Sequence, residues 1–113
     1  MSTIFSKIIN KEMDADILYE DSKSIAFKDI NPVASTHILI IPKKEIPTIN
    51  DIQDSDKELI GHLFIVAKKI ARKLNIDKDG YRIIFNCNDD AGQTVFHIHM
   101  HLIGGRKLLW PPG

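Results

Sequence analysis

The chain has 113 residues, with 15 Lys and Arg against 15 Asp and Glu, so its formal net charge is zero. At 43% hydrophobic and 27% charged it has the composition of one folded globular domain, which excludes collagen-like, low-complexity and disordered classes. The balanced charge supplies no bulk positive field for a nucleic-acid polymer, and no stretch approaches the roughly 18 apolar residues of a membrane span, so neither partner is expected.

A single cysteine, Cys87, precludes an internal disulfide and any Cys-x-x-Cys pair. With no apolar leader in Met1 to Lys7, the expected location is the cytoplasm, with the nucleus as the alternative. A domain of this size buries only about two-thirds of the surface its unfolded chain exposes, so association into a homodimer would help it.

In chain order, Ile4, Phe5, Ile8 and Ile9 have the spacing of one or two helical turns. Ile17 to Glu20 and Ile25 to Lys28 read as two strands of a hairpin around Asp21-Ser22-Lys23. After the Asn31-Pro32 break, His37 to Ile41 is a β-branched run closed by Pro42, and its continuous Ile38-Leu39-Ile40-Ile41 predicts a strand covered on both faces. Pro42 to Asp54 reads as a connector.

A long helix is predicted from about Ser55 to Leu74, opened by the capping box Ser55-x-x-Glu58. Leu59, Leu63, Val66, Ile70 and Leu74 form its apolar stripe, widened by Ile60, Phe64, Ala67 and Ala71, while Lys57, His62, Lys68 and Lys69 are left for water. Asn75 suits a left-handed stop. Tyr81 to Phe85 is a fourth strand, Asn86 to Gly92 a polar loop, and Val95 to Ile103 a fifth strand. The order β-β-β-α-β-β predicts an α+β fold whose five-stranded sheet is mostly antiparallel, with one long helix on one face and the other face free.

Three of the five histidines fall in His97-Ile98-His99-Met100-His101. On a strand, side chains alternate, so His97, His99 and His101 share one face, their Cα atoms roughly 6.6 Å apart in sequence along it. Like charges so close suppress one another's protonation, which predicts that at least some of the imidazoles are neutral near pH 7. A neutral imidazole is a nucleophile or a metal ligand, and the residues leave both open. In the metal reading, two imidazoles of the His-x-His pattern share a zinc ion, with His101, His37 or Asp29 as the third ligand. Gly92-Gln93-Thr94, just before the histidines, could cradle an anion with backbone N–H groups and the threonine hydroxyl, although such a tripeptide is more often an ordinary turn. No G-x-x-x-x-G-K-[ST] or G-x-G-x-x-G loop is present.

The His-x-His-x-His string resembles the signature of the histidine triad family of nucleotide hydrolases and transferases. Ile4 to Ile9, Ala26 to Ile30, His37 to Lys43, Tyr81-Arg82, Gly92-Gln93-Thr94 and the tail from Gly104 to Gly113 extend the likeness to the family's Hint branch, the purine nucleoside phosphoramidases. The resemblance implies a single domain over residues 1–113, joined to a second copy across a twofold axis. It also implies hydrolysis of the P–N bond of purine nucleoside 5′-phosphoramidates through a nucleotidyl-histidine.

By that resemblance His99 is the nucleophile, His101 touches the phosphate, His97 orients His99, and His37 stands behind as a hydrogen-bonding support. Thr94, Gly92, Gln93 and Asn86 hold the phosphate and its growing charge. Asp29 takes the ribose hydroxyls with Lys28 beside it, and Phe5, Ile8, Phe27 and Ile30 enclose the purine. Trp110 belongs to a tail reaching the partner's site. No cofactor is required, and zinc is the disfavoured alternative. Cleavage of dinucleoside polyphosphates, or nucleotide binding by a scaffold dimer with little turnover, are the competing functions. Taken alone, Phe27 is an ordinary core residue and Asp29 an ordinary turn residue. The chain departs from the branch at Thr94, where serine is usual, at Ser35, where proline is common, and across Asn86 to Ala91.

Overall fold

A computed structural model describes residues 3–113. Met1 and Ser2, part of the segment in which no leader was expected, lie outside the described residues. The elements run α1 (Ile4–Ile9), β1 (Ile17–Glu20), β2 (Ser24–Lys28), β3 (Thr36–Pro42), α2 (Lys57–Lys73), β4 (Tyr81–Phe85) and β5 (Met100–Gly104), with short 3₁₀ turns at Ile49–Asp51, Asp54–Asp56 and Asp89–Ala91. The five strands form one antiparallel sheet in the order β1-β2-β3-β5-β4.

The sheet is covered on both faces. On one, Ala26, Ile38, Ile40, Met100 and Leu102 meet Leu63, Val66, Ala67, Ile70 and Ala71 of α2. On the other, Ile25, Phe27, Leu39 and Ile41 meet Phe5 and Ile8 of α1. The expected free face is therefore partly closed by α1, whose two apolar residues are 4% and 5% exposed. Thr3 holds this short helix: its hydroxyl accepts from the Ser6 N–H at 3.2 Å, and the Ser6 hydroxyl accepts from the Thr3 N–H at 2.7 Å.

Helix α2 starts at Lys57, two residues after the predicted cap. Ser55-x-x-Glu58 is not the box that forms, because Asp54–Asp56 makes a 3₁₀ turn in which Asp56 accepts from the Gln53 N–H at 2.9 Å and from Lys44. Phe64 is 45% exposed, outside the buried face expected of it. His62, expected in water, reaches across to Asp21 at 2.7 Å and ties the β1–β2 turn to the helix.

Strand β5 begins at Met100, five residues after its predicted start. The preceding segment leaves the ladder to bond the connector after β3: the Ile98 N–H donates to the Ile46 carbonyl at 2.8 Å, and the His97 ring to the Pro42 carbonyl at 2.7 Å. Only His101 of the three histidines lies on a hydrogen-bonded strand.

Candidate active site

Register in the sheet brings two distant histidines together. Leu39 pairs with His101 and His37 with Ile103 across β3 and β5, so His37 and His101 are diagonal neighbours on one face. Their ring centroids are 5.2 Å apart, and His37 Nε2 lies 2.9 Å from His101 Nδ1. The Val33 N–H donates to His37 Nδ1 at 3.2 Å. That nitrogen must then carry a lone pair, so the proton of neutral His37 sits on Nε2 and is donated to His101 Nδ1. His101 in turn keeps its own proton on Nε2 as a free donor.

His99 has the opposite tautomer. Its Nδ1–H donates to the backbone carbonyl of His97 at 2.8 Å, which leaves Nε2 with the lone pair. Phe5 clamps the ring edge to face, centroids 4.9 Å apart at 77°. The three rings stay neutral at pH 7. Burial holds His97 and His99 below the ordinary histidine range. Burial, reinforced by neighbouring His99 and His37, pushes His101 down to about 4. One nucleophilic nitrogen and one donor N–H thus stand side by side, on rings with centroids 5.1 Å apart.

These two histidines line a cleft of about 380 Å³. Phe5, Ile8, Phe27, Lys28, Asp29, Ile30 and Thr94, named as site residues through the resemblance, line it too. Ile4, Met13, Asp14, Ala15, Asn31, Leu39 and Val95 complete the wall. Of these, Met13 to Ala15 carried no sequence signal. They reach the cleft because the β1 lead-in runs beside β2, the Lys28 N–H donating to the Asp16 carbonyl at 3.0 Å.

Other expected site residues lie elsewhere. The His97 ring is fully buried and does not line the cleft; it is the His97 backbone carbonyl that touches His99. Gln93 is 5% exposed, with its amide donating to the Pro47 and Val95 carbonyls and its carbonyl accepting from the Asn88 N–H, so it braces the loop. The Gly92 and Gln93 N–H groups are bonded to Asp89 and Asn88, which leaves the expected backbone anion cradle without two of its donors. Asn86 and Trp110 also lie outside the cleft wall, and Trp110 is 81% exposed. His37 does not line the cleft itself but touches His101 and Asp29, which do.

Asp29, His37 and His101 present ligand atoms within 4.8 Å of one another, the one group among the described residues that could hold a metal ion. The donor set fits such an ion poorly. His37 Nε2 carries the proton that joins it to His101, and freeing that nitrogen for a metal would move the proton to Nδ1 and break the bond from Val33. Asp29 is also partly engaged, one oxygen accepting from the Asn31 N–H at 2.8 Å and the other 3.3 Å from His37 Nε2.

The chain has close relatives among known proteins. The sequence matches the HIT domain family over residues 10–108. The chain belongs to the histidine triad (HIT) family. A HIT relative, the purine nucleoside phosphoramidase of Escherichia coli K12, is 54% identical over 94% of this chain and 89% of its own length. An uncharacterized HIT-like protein of Synechocystis is 50% identical over 98% of this chain and 96% of its own. Among solved structures, a HIT family hydrolase from Legionella pneumophila superposes with a TM-score of 0.98 at 50% identity, covering 99% of this chain and 100% of that one. A histidine triad protein from Clostridium difficile gives 0.91 at 43% identity over 94% and 92%.

Proposed function

We propose that this HIT protein hydrolyses purine nucleoside 5′-phosphoramidates, releasing an amine and the nucleoside monophosphate. The observation that carries the reading is the bond from His99 Nδ1–H to the His97 carbonyl, which commits Nε2 to act as a nucleophile. Similarity to a purine nucleoside phosphoramidase supports the substrate class.

In the first step the Nε2 lone pair of His99 attacks the α-phosphorus, the P–N bond breaks, and the amine departs after taking a proton from the solvent side, where the Thr94 hydroxyl lines the cleft. The positive charge that develops on the substituted imidazole is stabilised by the His97 carbonyl at Nδ1. His101 Nε2–H donates to a phosphoryl oxygen as charge grows there. Water then attacks the phosphorus and gives a proton back to the solvent side, the P–N bond to His99 breaks, and the monophosphate leaves with the lone pair of His99 Nε2 restored. The nucleophile is neutral and the donor is already protonated, so no metal ion is needed. A twofold dimer belongs to this reading, supported by the exposed apolar tail residues Leu109 and Trp110 at 75% and 81%.

The test is turnover of a fluorogenic adenosine phosphoramidate by the wild type and by His99→Ala, with circular dichroism confirming the fold. Loss of activity by a factor on the order of 10⁴ or more, with a nucleotidyl adduct on wild-type protein after rapid quench, is expected. Equal turnover by the two proteins would sink the assignment.

A further inference from the structure

The cleft ends on a carboxylate that the proposed reaction does not use. Asp14 lines the wall, is exposed, and has no hydrogen bond or ion pair among the described residues. Its acidic neighbours are engaged: Asp16 lies 3.5 Å from Lys28 Nζ, and Asp29 bonds the Asn31 N–H. Asp14 sits in the lead-in to β1, and β1 is three strands from the β5 that carries His101, about 14 Å between those two strands at ordinary spacing. Between the two ends lie the apolar walls of Phe5, Ile8, Phe27 and Leu39.

A nucleotide with its phosphorus at His99 must extend its base along those walls, and the edge of the base farthest from the phosphate then meets Asp14. A carboxylate there only accepts hydrogen bonds. Guanine presents N1–H and the 2-amino group side by side, which matches two carboxylate oxygens. Adenine presents its 6-amino group next to the N1 lone pair, which the carboxylate repels.

We propose that Asp14 is a specificity-determining residue that selects guanine over adenine in this cleft. The inference rests on the nucleotide reading above, and binding of the product monophosphates tests it without turnover. Calorimetric titration of GMP, IMP and AMP into the wild type and Asp14→Asn, a substitution at an exposed position without partners, gives the readout. GMP is expected to bind about tenfold more tightly than AMP, with IMP between them because it keeps N1–H and lacks the 2-amino group. Asp14→Asn should remove most of that difference, GMP binding more weakly and AMP more tightly, because the amide can donate to the adenine N1 lone pair that the carboxylate repels. Equal affinities in the wild type, or a preference for GMP unchanged in Asp14→Asn, would overturn the role of Asp14 and leave the phosphoramidase reading intact. Failure of every monophosphate to bind would overturn both.

Discussion

His37 Nε2 lies 2.9 Å from His101 Nδ1, and the Val33 N–H occupies the far side of the same ring. The chain of donors runs one way, from backbone to His37 to His101, and it ends on a proton at His101 Nε2. In the proposed reaction His37 is therefore a positioning residue. His37→Ala is expected to lower kcat about 10- to 100-fold with little change in KM, since it frees the tautomer of His101 without removing a wall of the cleft. His37→Gln, whose amide can still donate, should recover part of the loss. Steady-state kinetics on the two variants decides it, and an effect confined to KM would contradict the relay.

Stability of the domain should fall on the acid side of neutrality. His101 has a folded pKa of about 4 against an ordinary 6.5, and His97 and His99 are lowered as well. For such a group the unfolded chain binds more protons than the folded one between the two values, so stability rises with pH across that window. The contribution is complete above pH 6.5 and is lost as the pH falls from 6.5 towards 4. Because His101 is only partly buried, its share is on the order of 1 to 2 kcal/mol. Urea midpoints between pH 4 and 7.5 should show the decline, and His101→Asn should flatten it. A midpoint independent of pH over that range would refute the burial account.

Much of this architecture was legible in the residues. Short apolar and β-branched runs bounded by turn residues indicated the strands, and the stripe from Leu63 to Ile70 indicated the face of α2, because those patterns reflect burial directly. What local pattern could not show is where backbone groups find partners. Ser55 and Glu58 had the right spacing for a cap, yet Asp56 took that place through Lys44 and Gln53. The histidine alternation was correct in spacing, but the segment before Met100 bonds Pro42 and Ile46 instead of a neighbouring strand, which buries the His97 ring. Gln93 and the Gly92 N–H were given to a ligand by motif and are used by the loop itself. Asp14 and Met13 escaped notice because they reach the cleft only through the pairing of β1 with β2.

Asp21 is expected to be among the more sensitive polar positions outside the cleft. One oxygen accepts from the Lys23 N–H at 2.8 Å, the Ser24 N–H at 2.7 Å and the Ser24 hydroxyl at 3.0 Å, while the other accepts from Tyr19 at 2.8 Å and His62 at 2.7 Å. Partial burial alone would raise its pKa, but the N–H donors of Lys23 and Ser24 with Tyr19 and His62 hold the carboxyl well below the carboxylate range. Asp21→Ala leaves the fully buried Ser24 N–H without its acceptor and should cost about 2 to 4 kcal/mol. His62→Ala, which removes one donor at a half-exposed site, should cost about 1 kcal/mol. Denaturant unfolding of the two variants measures both, and a larger loss in His62→Ala would show that the helix contact, not the turn, holds the tie.

His97 separates a structural role from a catalytic one. Its ring is fully buried, Nε2–H donates to the Pro42 carbonyl, and Nδ1 has no hydrogen-bond partner among the described residues. What His99 requires from residue 97 is a backbone carbonyl, which any side chain leaves in place. His97→Ala should therefore lose about 2 to 4 kcal/mol through the cavity and the stranded Pro42 carbonyl. At a temperature where the variant remains folded, kcat should stay within a few-fold of the wild type, because the tautomer of His99 is unchanged. Thermal melts, in which such a loss should lower the midpoint by about 8 to 17 °C, paired with kinetics well below the variant's own midpoint, separate the two effects. A collapse of kcat in well-folded His97→Ala, with its melting temperature unmoved, would instead make the ring itself part of the machinery that orients the nucleophile.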